Sequence, residues 1–477
     1  MLSVGVYIVS LIIIFVTGWI YKWRNPKCDG LLPPGSSGIP LIGESHQLFI
    51  PSYSHDVHPF IKKRLQRHGP LFRTNVAGRN VVVSADQEFN SFIIQQENKL
   101  VVRWYLDSFE KLLKHGDGKP DTLTMHKYMR SLVLSHFGPE TMRQNLLSQF
   151  EDIVRKTIHS WSLQQDAIDV GYASVAMYGE FVGNKMCSFD PEKSKELIHT
   201  FMNGIKIAMS LPLNIPGTTY HKCLKDKEKA SKMLMDAVND RLASPENVEE
   251  NVEDDLLSKM IKDMNTVNFV TKEYIVHLLY SFMFSTFQTI PTVAAFALNF
   301  VSKNPAVVGE LTAEHDEILR KRQNLDSSVT WEEYKSMTFT LQVINETLRL
   351  GNSVPGFLRK AIKDIKVNGY TIPAGWGIMT CHSAMHLDPN IYEDPLTFNP
   401  WRWKDVDPEF MSKNLKPFGG GINQCSGADF SRAAIAIFLH VLVTKYRWSI
   451  VKGGDIIQDP TMRLKNGLHI NVRKRQD

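Results

Sequence analysis

The chain has 477 residues, 43% hydrophobic and 22% charged, a composition that excludes intrinsic disorder and suffices for one large domain or two to three smaller ones. Its net charge of +5, without a basic stripe interleaved with aromatics, fits an acidic protein partner or an anionic membrane surface and gives no reason to expect nucleic acid. The five cysteines, Cys28, Cys187, Cys223, Cys381 and Cys425, are scattered, with no CxxC pair or zinc spacing, which argues against a disulfide scaffold and for a reducing compartment.

Residues 1–23 read as a membrane anchor helix. Leu2 to Tyr21 carry no charge, and Lys22, Arg24 and Lys27 follow at once. The stretch is long enough to span a bilayer, with a positive-inside flank. A cleaved signal peptide would put its charges first, so the expectation is an uncleaved single-pass anchor with the body in the cytosol. Residues 24–43 include LPPGSSGIPLIG and read as a stiff proline–glycine hinge. Residues 44–477 form the body.

In the body, Leu71 to Ser84 reads as a β-hairpin around a glycine turn, and helical patterns follow. His126 to Phe137 is amphipathic, with His126 and Arg130 four apart on one face: either solvated polar residues or a pair reaching an anion. Ser210 to Thr219 is a proline-broken link, and Asn247 to Asp255 an acidic surface loop. Thr271 to Ser302 predicts a long core helix capped by Thr271. Its centre carries Ser285, Thr286, Gln288, Thr289 and Pro291. Pro291 has no N–H for the carbonyl of Phe287 and should kink or open the helix there. Thr330 to Arg349 predicts a further helix with a Thr330/Glu333 capping box, ending in Glu346 and Arg349. As a surface pair these would contribute a few tenths of a kcal/mol, about 0.3. Val354 to Ile365 and Tyr370 to Thr380 read as short strands and turns, and Asp388 to Trp403 as a proline-rich segment.

Pro417 to Gly427, PFGGGINQCSG, precedes an apolar run from Ala433 to Tyr446. Gly419, Gly420 and Gly421 let the backbone approach a flat partner, and Phe418 could cover it. Cys425 stands just before a helix, whose positive end favours a thiolate. A thiolate donates electron density to haem iron; otherwise Cys425 is an inert buried thiol.

In this order the pieces resemble a cytochrome P450, a haem-thiolate monooxygenase. The resemblance rests on the anchor, the LPPG hinge, the long helix, Glu346-x-x-Arg349, Phe398-Asn-Pro400-Trp-Arg402-Trp403, and Phe418-Gly-Gly-Gly-x-x-x-Cys425-x-Gly427. It implies a mainly α fold with small β-sheets (α+β) and haem b, iron protoporphyrin IX, as cofactor. Cys425 would be the axial ligand of the haem iron, in a loop whose Phe418, Gly421 and Gly427 border the haem. Glu346, Arg349 and Arg402 would form a buried network behind that loop. Arg130 and Arg359 would bind the haem propionates as bidentate donors, with His126 where many relatives carry tryptophan. Thr289, Gln288 and Thr286 would manage protons during oxygen activation.

Two positions depart from the family pattern. Asn423 stands where relatives usually carry arginine or histidine, so Arg130 and Arg359 would do more of the propionate anchoring. Gln288 stands where relatives commonly carry an acid, and an amide cannot ionise.

NPKCDG, DVHPFIKKR, NIPGTTYHKCLKD and FNPWRWKD further resemble a plant group that oxidises sterols and triterpenoids. The resemblance implies NADPH-cytochrome P450 reductase as partner, with NADPH electrons, and an apolar substrate reached from membrane lipid at the endoplasmic reticulum. The expected substrate wall comprises Trp104 and Tyr105, Met209 to Leu213, Phe284 to Thr289, Val354 to Leu358, and Leu464 to Leu468. Lys413, Lys416 and Arg432 could receive an acidic reductase. Hydroxylation of a ring skeleton is expected first, and sequential side-chain oxidation or cleavage second. The readings from other classes are a reductase-independent haem-thiolate isomerase or lyase and a haem-binding protein without catalysis.

Overall fold

The computed structural model describes residues 2–113, 123–202, 212–243, 255–351, 354–459 and 461–476. Met209 to Leu211 of the expected wall, and all of the acidic loop except Asp255, lie outside them. Helices dominate, with strands β1 (Leu71–Val76), β2 (Arg79–Ser84), β3 (Val101–Arg103), β4 (Ile168–Asp169), β5 (Phe357–Ala361), β6 (Ile365–Val367), β7 (Tyr370–Ile372), β8 (Gly377–Thr380), β9 (Tyr446–Gly453), β10 (Ile456–Gln458), β11 (Met462–Leu464) and β12 (Leu468–Lys474). The main sheet has the order β1-β2-β8-β5-β3, and β4-β12-β9 form a second. The expected hairpin is β1 and β2, paired from Leu71↔Ser84 to Val76↔Arg79 around Ala77-Gly78.

The anchor helix, Leu2–Arg24, exposes its apolar side chains from Val6 to Tyr21. Trp23 Nε1 in its last turn donates to the Ser37 carbonyl at 3.1 Å. The proline–glycine stretch does not stand off as a free hinge. Gly35 bridges Arg73 and Gly43 bridges Val76, so it is stitched along the β1 edge. A Cβ on Gly35 would fall 2.0 Å from the Arg73 carbonyl oxygen, and φ there is +141°; only glycine permits that approach.

The central helix, Lys272–Ser302, is capped by the Thr271 side chain and is, with the anchor, one of two helices long and apolar enough to cross a membrane among the described residues. It is instead packed in the main core, beside the cysteine helix Ala428–Lys445. The latter is buried all round from Ala433 to Thr444, as expected for a helix apolar on every face. The helix expected from Thr330 to Arg349 is two. The capping box forms in Trp331–Ser336, Met337 breaks the chain, and a second helix runs Thr338–Gly351. Glu314 decides the break: its carboxylate accepts the N–H groups of Phe339 and Thr340 at 2.6 and 2.9 Å, starting a new helix there. All five cysteines are free.

Candidate active site

Cys425 lies two residues before Gly427, the residue that opens the cysteine helix. Its N–H donates to the Phe418 carbonyl at 3.0 Å, closing the loop. Gly419 and Gly421 have φ of +72° and +64°. A Cβ on Gly421 would come within 2.9 Å of the Ile94 side chain and carbonyl, so both torsion and space demand glycine. Gly427 is less constrained, since a Cβ there would lie 3.9 Å from Cys425 Sγ, an ordinary contact.

Solvent reaches the Cys425 side chain, yet the surrounding protein pushes its thiol up. Desolvation outweighs the Gly427 N–H and the charges of Arg130 and Arg432, which pull the other way. The helix-end N–H of Gly427 favours the thiolate, as the sequence implies, but does not by itself overcome desolvation. A coordinated metal ion does, because it deprotonates its thiol outright.

Behind the loop, Glu346 and Arg349 are fully buried. Arg349 donates from Nε and Nη2 to the two Glu346 oxygens at 2.9 and 2.8 Å. Arg402 Nε donates to Oε1 at 3.0 Å and Trp403 Nε1 to Oε2 at 2.9 Å. Arg349 Nη1 also reaches the carbonyls of His386 and Pro395 at 2.8 and 2.6 Å. The surface-pair alternative is thus replaced by a buried network, where stranding one charge costs about 3–5 kcal/mol. Sequence reasoning missed His386. Its carbonyl holds Arg349, and its ring Nε2 accepts the N–H of Lys416 at 3.2 Å, two residues before Phe418. Burial holds this ring neutral, its pKa well below the ordinary value. The lock and the cysteine loop therefore share one residue.

Arg130, on the helix Leu123–Phe137 with His126 one turn before it, donates from Nη1 to the Gln424 carbonyl at 2.8 Å, next to the cysteine. Arg359 on β5 is buried and ion-paired with Glu97, and its Nη1 donates to the Leu358 carbonyl at 2.9 Å. Glu97 was not anticipated. No local pattern ties it to a residue 262 positions away.

On the central helix, Ser285 and Thr289 are exposed although their neighbours Phe284 and Phe287 are buried, and their i,i+4 spacing puts them on one face. Their hydroxyls donate to the carbonyls of Ser281 and Ser285 at 2.8 and 2.7 Å. Thr286 donates to Phe282 and Thr292 to Gln288, at 2.8 and 2.6 Å. The helix continues through Pro291 without ending there, although proline leaves the Phe287 carbonyl without its i+4 N–H. Gln288 Nε2 donates to the Phe201 carbonyl at 2.7 Å.

A reachable thiol, a glycine loop pressed on Ile94, a cation bonded beside the thiol and exposed hydroxyls on an apolar helix form a donor set that fits a haem. Cys425 would bind its iron, and Arg130 and Arg359 its carboxylates. The chain matches the Cytochrome P450 family over residues 33–471. It belongs to the cytochrome P450 family. A cucurbitadienol 11-hydroxylase of Siraitia grosvenorii is 46% identical over 100% of both chains. A beta-amyrin 16-alpha-hydroxylase of Maesa lanceolata is 44% identical over 99% of both, and a cholesterol 22-hydroxylase of Paris polyphylla is 32% identical over 97% of this chain and 96% of its own. Among solved structures, the retinoic acid bound cyanobacterial CYP120A1 superposes with a TM-score of 0.82 over 94% of this chain and 100% of its own, at 22% identity, which speaks for the fold. This P450 is a haem-dependent monooxygenase that takes electrons from a redox partner and carries an N-terminal apolar helix suited to membrane anchoring.

Tyr105, Phe109, Phe284 and Phe201 form a run of ring contacts, with centroids 5.3, 5.7 and 6.4 Å apart. Trp104 packs on Gly377, and Val354 is exposed. Leu468 is fully buried in the main core, so burial in the sheet, not cavity lining, explains it. Lys413 is exposed, Lys416 is half-buried, and Arg432 lies over the Phe418 ring at 4.7 Å. Arg432 is thus engaged with the loop rather than held out to a partner.

Proposed function

We propose that this P450 hydroxylates the ring skeleton of a triterpenoid or steroid in a plant. Electrons would come singly from NADPH through NADPH-cytochrome P450 reductase at the endoplasmic reticulum membrane. The observation that carries the reading is the full-length likeness, at 46% and 44% identity, to two enzymes named for hydroxylating cucurbitadienol and beta-amyrin. The relative named for cholesterol 22-hydroxylation stands at 32%, which is why ring attack ranks before side-chain attack.

When bound, the haem supplies O₂ cleavage and oxygen insertion, so that R–H, O₂, two electrons and two protons give R–OH and water. The chain's own residues do the rest. The Phe418–Cys425 loop would present Cys425 to the iron, the buried Glu346 network holds that loop through His386, and Arg130 and Arg359 would bind the haem carboxylates. The exposed hydroxyls of Ser285 and Thr289 can turn from their helix carbonyls to a water and pass protons. The apolar residues around Tyr105, Phe109 and Phe284 exclude bulk water and orient the substrate.

Expression in yeast with a plant reductase, a feed of sterols and triterpenes, and mass spectrometry test this. The expected result is a product one oxygen heavier, dependent on NADPH and absent from Cys425→Ser. Turnover of a hydroperoxide without reductase, and no hydroxylated product, would favour the isomerase or lyase reading instead.

A further inference from the structure

The helix Pro191–Phe201 carries at its last residue a side chain and a carbonyl that both turn to the central helix. The Phe201 carbonyl accepts the side-chain amide of Gln288, at 2.7 Å. The same residue is held from its other end. Its ring is buried, edge-on to Phe287 at 5.2 Å and close to Tyr280 at 5.0 Å. Carbonyl and ring thus meet adjacent residues, Gln288 and Phe287, of one helix turn.

The chemistry at 288 is one-sided. A carbonyl needs a donor, and an amide has two N–H groups while an ionised carboxylate has none. An ionised glutamate of nearly the same shape would set its charge against a carbonyl oxygen and have no hydrogen to give. Glutamine, unlike ionised glutamate, therefore meets the donor requirement of this contact.

We propose that Gln288 is a positioning residue that fastens the C-terminal end of the Pro191–Phe201 helix to the central helix, and through Phe201 holds Phe284 and Phe109 in the substrate wall. The effect on the wall rests on the monooxygenase reading above; the fastening does not.

Hydrogen–deuterium exchange on the full chain reads the fastening without substrate. In Gln288→Ala and Gln288→Glu at neutral pH, amides of residues 197–201 should exchange about 3- to 10-fold faster than in the wild type, the scale of one net hydrogen bond, with other core helices unchanged. In the reconstituted enzyme, both variants should bind substrate about 3- to 10-fold more weakly by spectral titration and give a broader mixture of oxidised positions. Wild-type exchange in Gln288→Glu would overturn the proposal. So would a Gln288→Glu enzyme with raised turnover and unchanged affinity and product pattern, the signature of a restored proton donor. If even the wild type oxidises none of the fed terpenoids, the substrate reading fails, while the exchange rates still decide the fastening.

Discussion

The two sides of the site spend their polar groups differently. Behind Cys425, every bond to the Glu346 carboxylate except the two from Arg349 comes from a residue more than fifty positions away, and His386 joins that network to the loop. On the central helix, the hydroxyls of Ser285, Thr286, Thr289 and Thr292 bond to carbonyls one turn back. A network of distant partners holds one geometry and fails as a unit. A back-bonded hydroxyl can swap its carbonyl for water at little cost. The Cys425 side is therefore built to be fixed, and the hydroxyls of the central helix are left free to exchange partners, which on the function proposed above would let them pass protons, with Gln288 as the exception that bonds across helices.

The sharpest break of this contrast is at the ligand. Cys425→Ser should abolish the thiolate-type spectrum of the reduced CO complex and all hydroxylation, while far-UV circular dichroism stays that of the wild type. Next comes the lock. Glu346→Gln leaves the buried Arg349 and the partly buried Arg402 short of their counter-charge and should cost about 3–5 kcal/mol, read as a lower denaturation midpoint and little haem-loaded protein. On the opposite side, Thr289→Val should leave stability within about 1 kcal/mol. It should lower product formation by up to about 100-fold while NADPH consumption continues and peroxide escapes. If Thr289→Val destabilised the fold as strongly as Glu346→Gln, the contrast would collapse.

Acid sharpens the same contrast. His386 and His382 lie beside the lock, and His440 of the cysteine helix meets His315 ring to ring with Nδ1 atoms 3.0 Å apart. Burial lowers all four, His315 to about 3, His382 to about 4 and the other two well below the ordinary value. Around the His315–His440 pair stand Thr340, Asp316, Arg155, Arg322 and Lys445. In the unfolded chain each histidine takes a proton near pH 6.5, and in the fold it does not. Stability is therefore full above that pH and falls as pH drops below it, by about 1.4 kcal/mol per unit for each histidine. Denaturation midpoints from pH 7 to 5 check this, and His440→Leu should make the decline shallower. The smallest effect is expected at Asn423. Asn423→Arg should slow haem loss to apomyoglobin by a few-fold, about the scale of one solvent-exposed ion pair.

Much of this was legible because it is local. The uncharged run from Leu2 to Tyr21, the Ala77-Gly78 turn, the Thr330/Glu333 box and the glycines at 419 and 421 each encode a conformation in a few consecutive residues, and the structure has them. The family was legible because its motifs occur in one order. The break at Met337 was not, since it depends on Glu314 arriving from another helix. Nor was the continuity through Pro291, a buried residue of a helix packed along its length in the main core.

What the sequence determined by itself was the set of elements and the chemistry available at each position, above all one cysteine in a loop only glycine can form. What the tertiary structure decided was the partner of each charge: Glu97 for Arg359, Gln424 for Arg130, His386 between lock and loop, and Phe201 for Gln288. The physical reason is the same in each case. Torsion and propensity act between neighbours along the chain, whereas burial and hydrogen bonding act between neighbours in space.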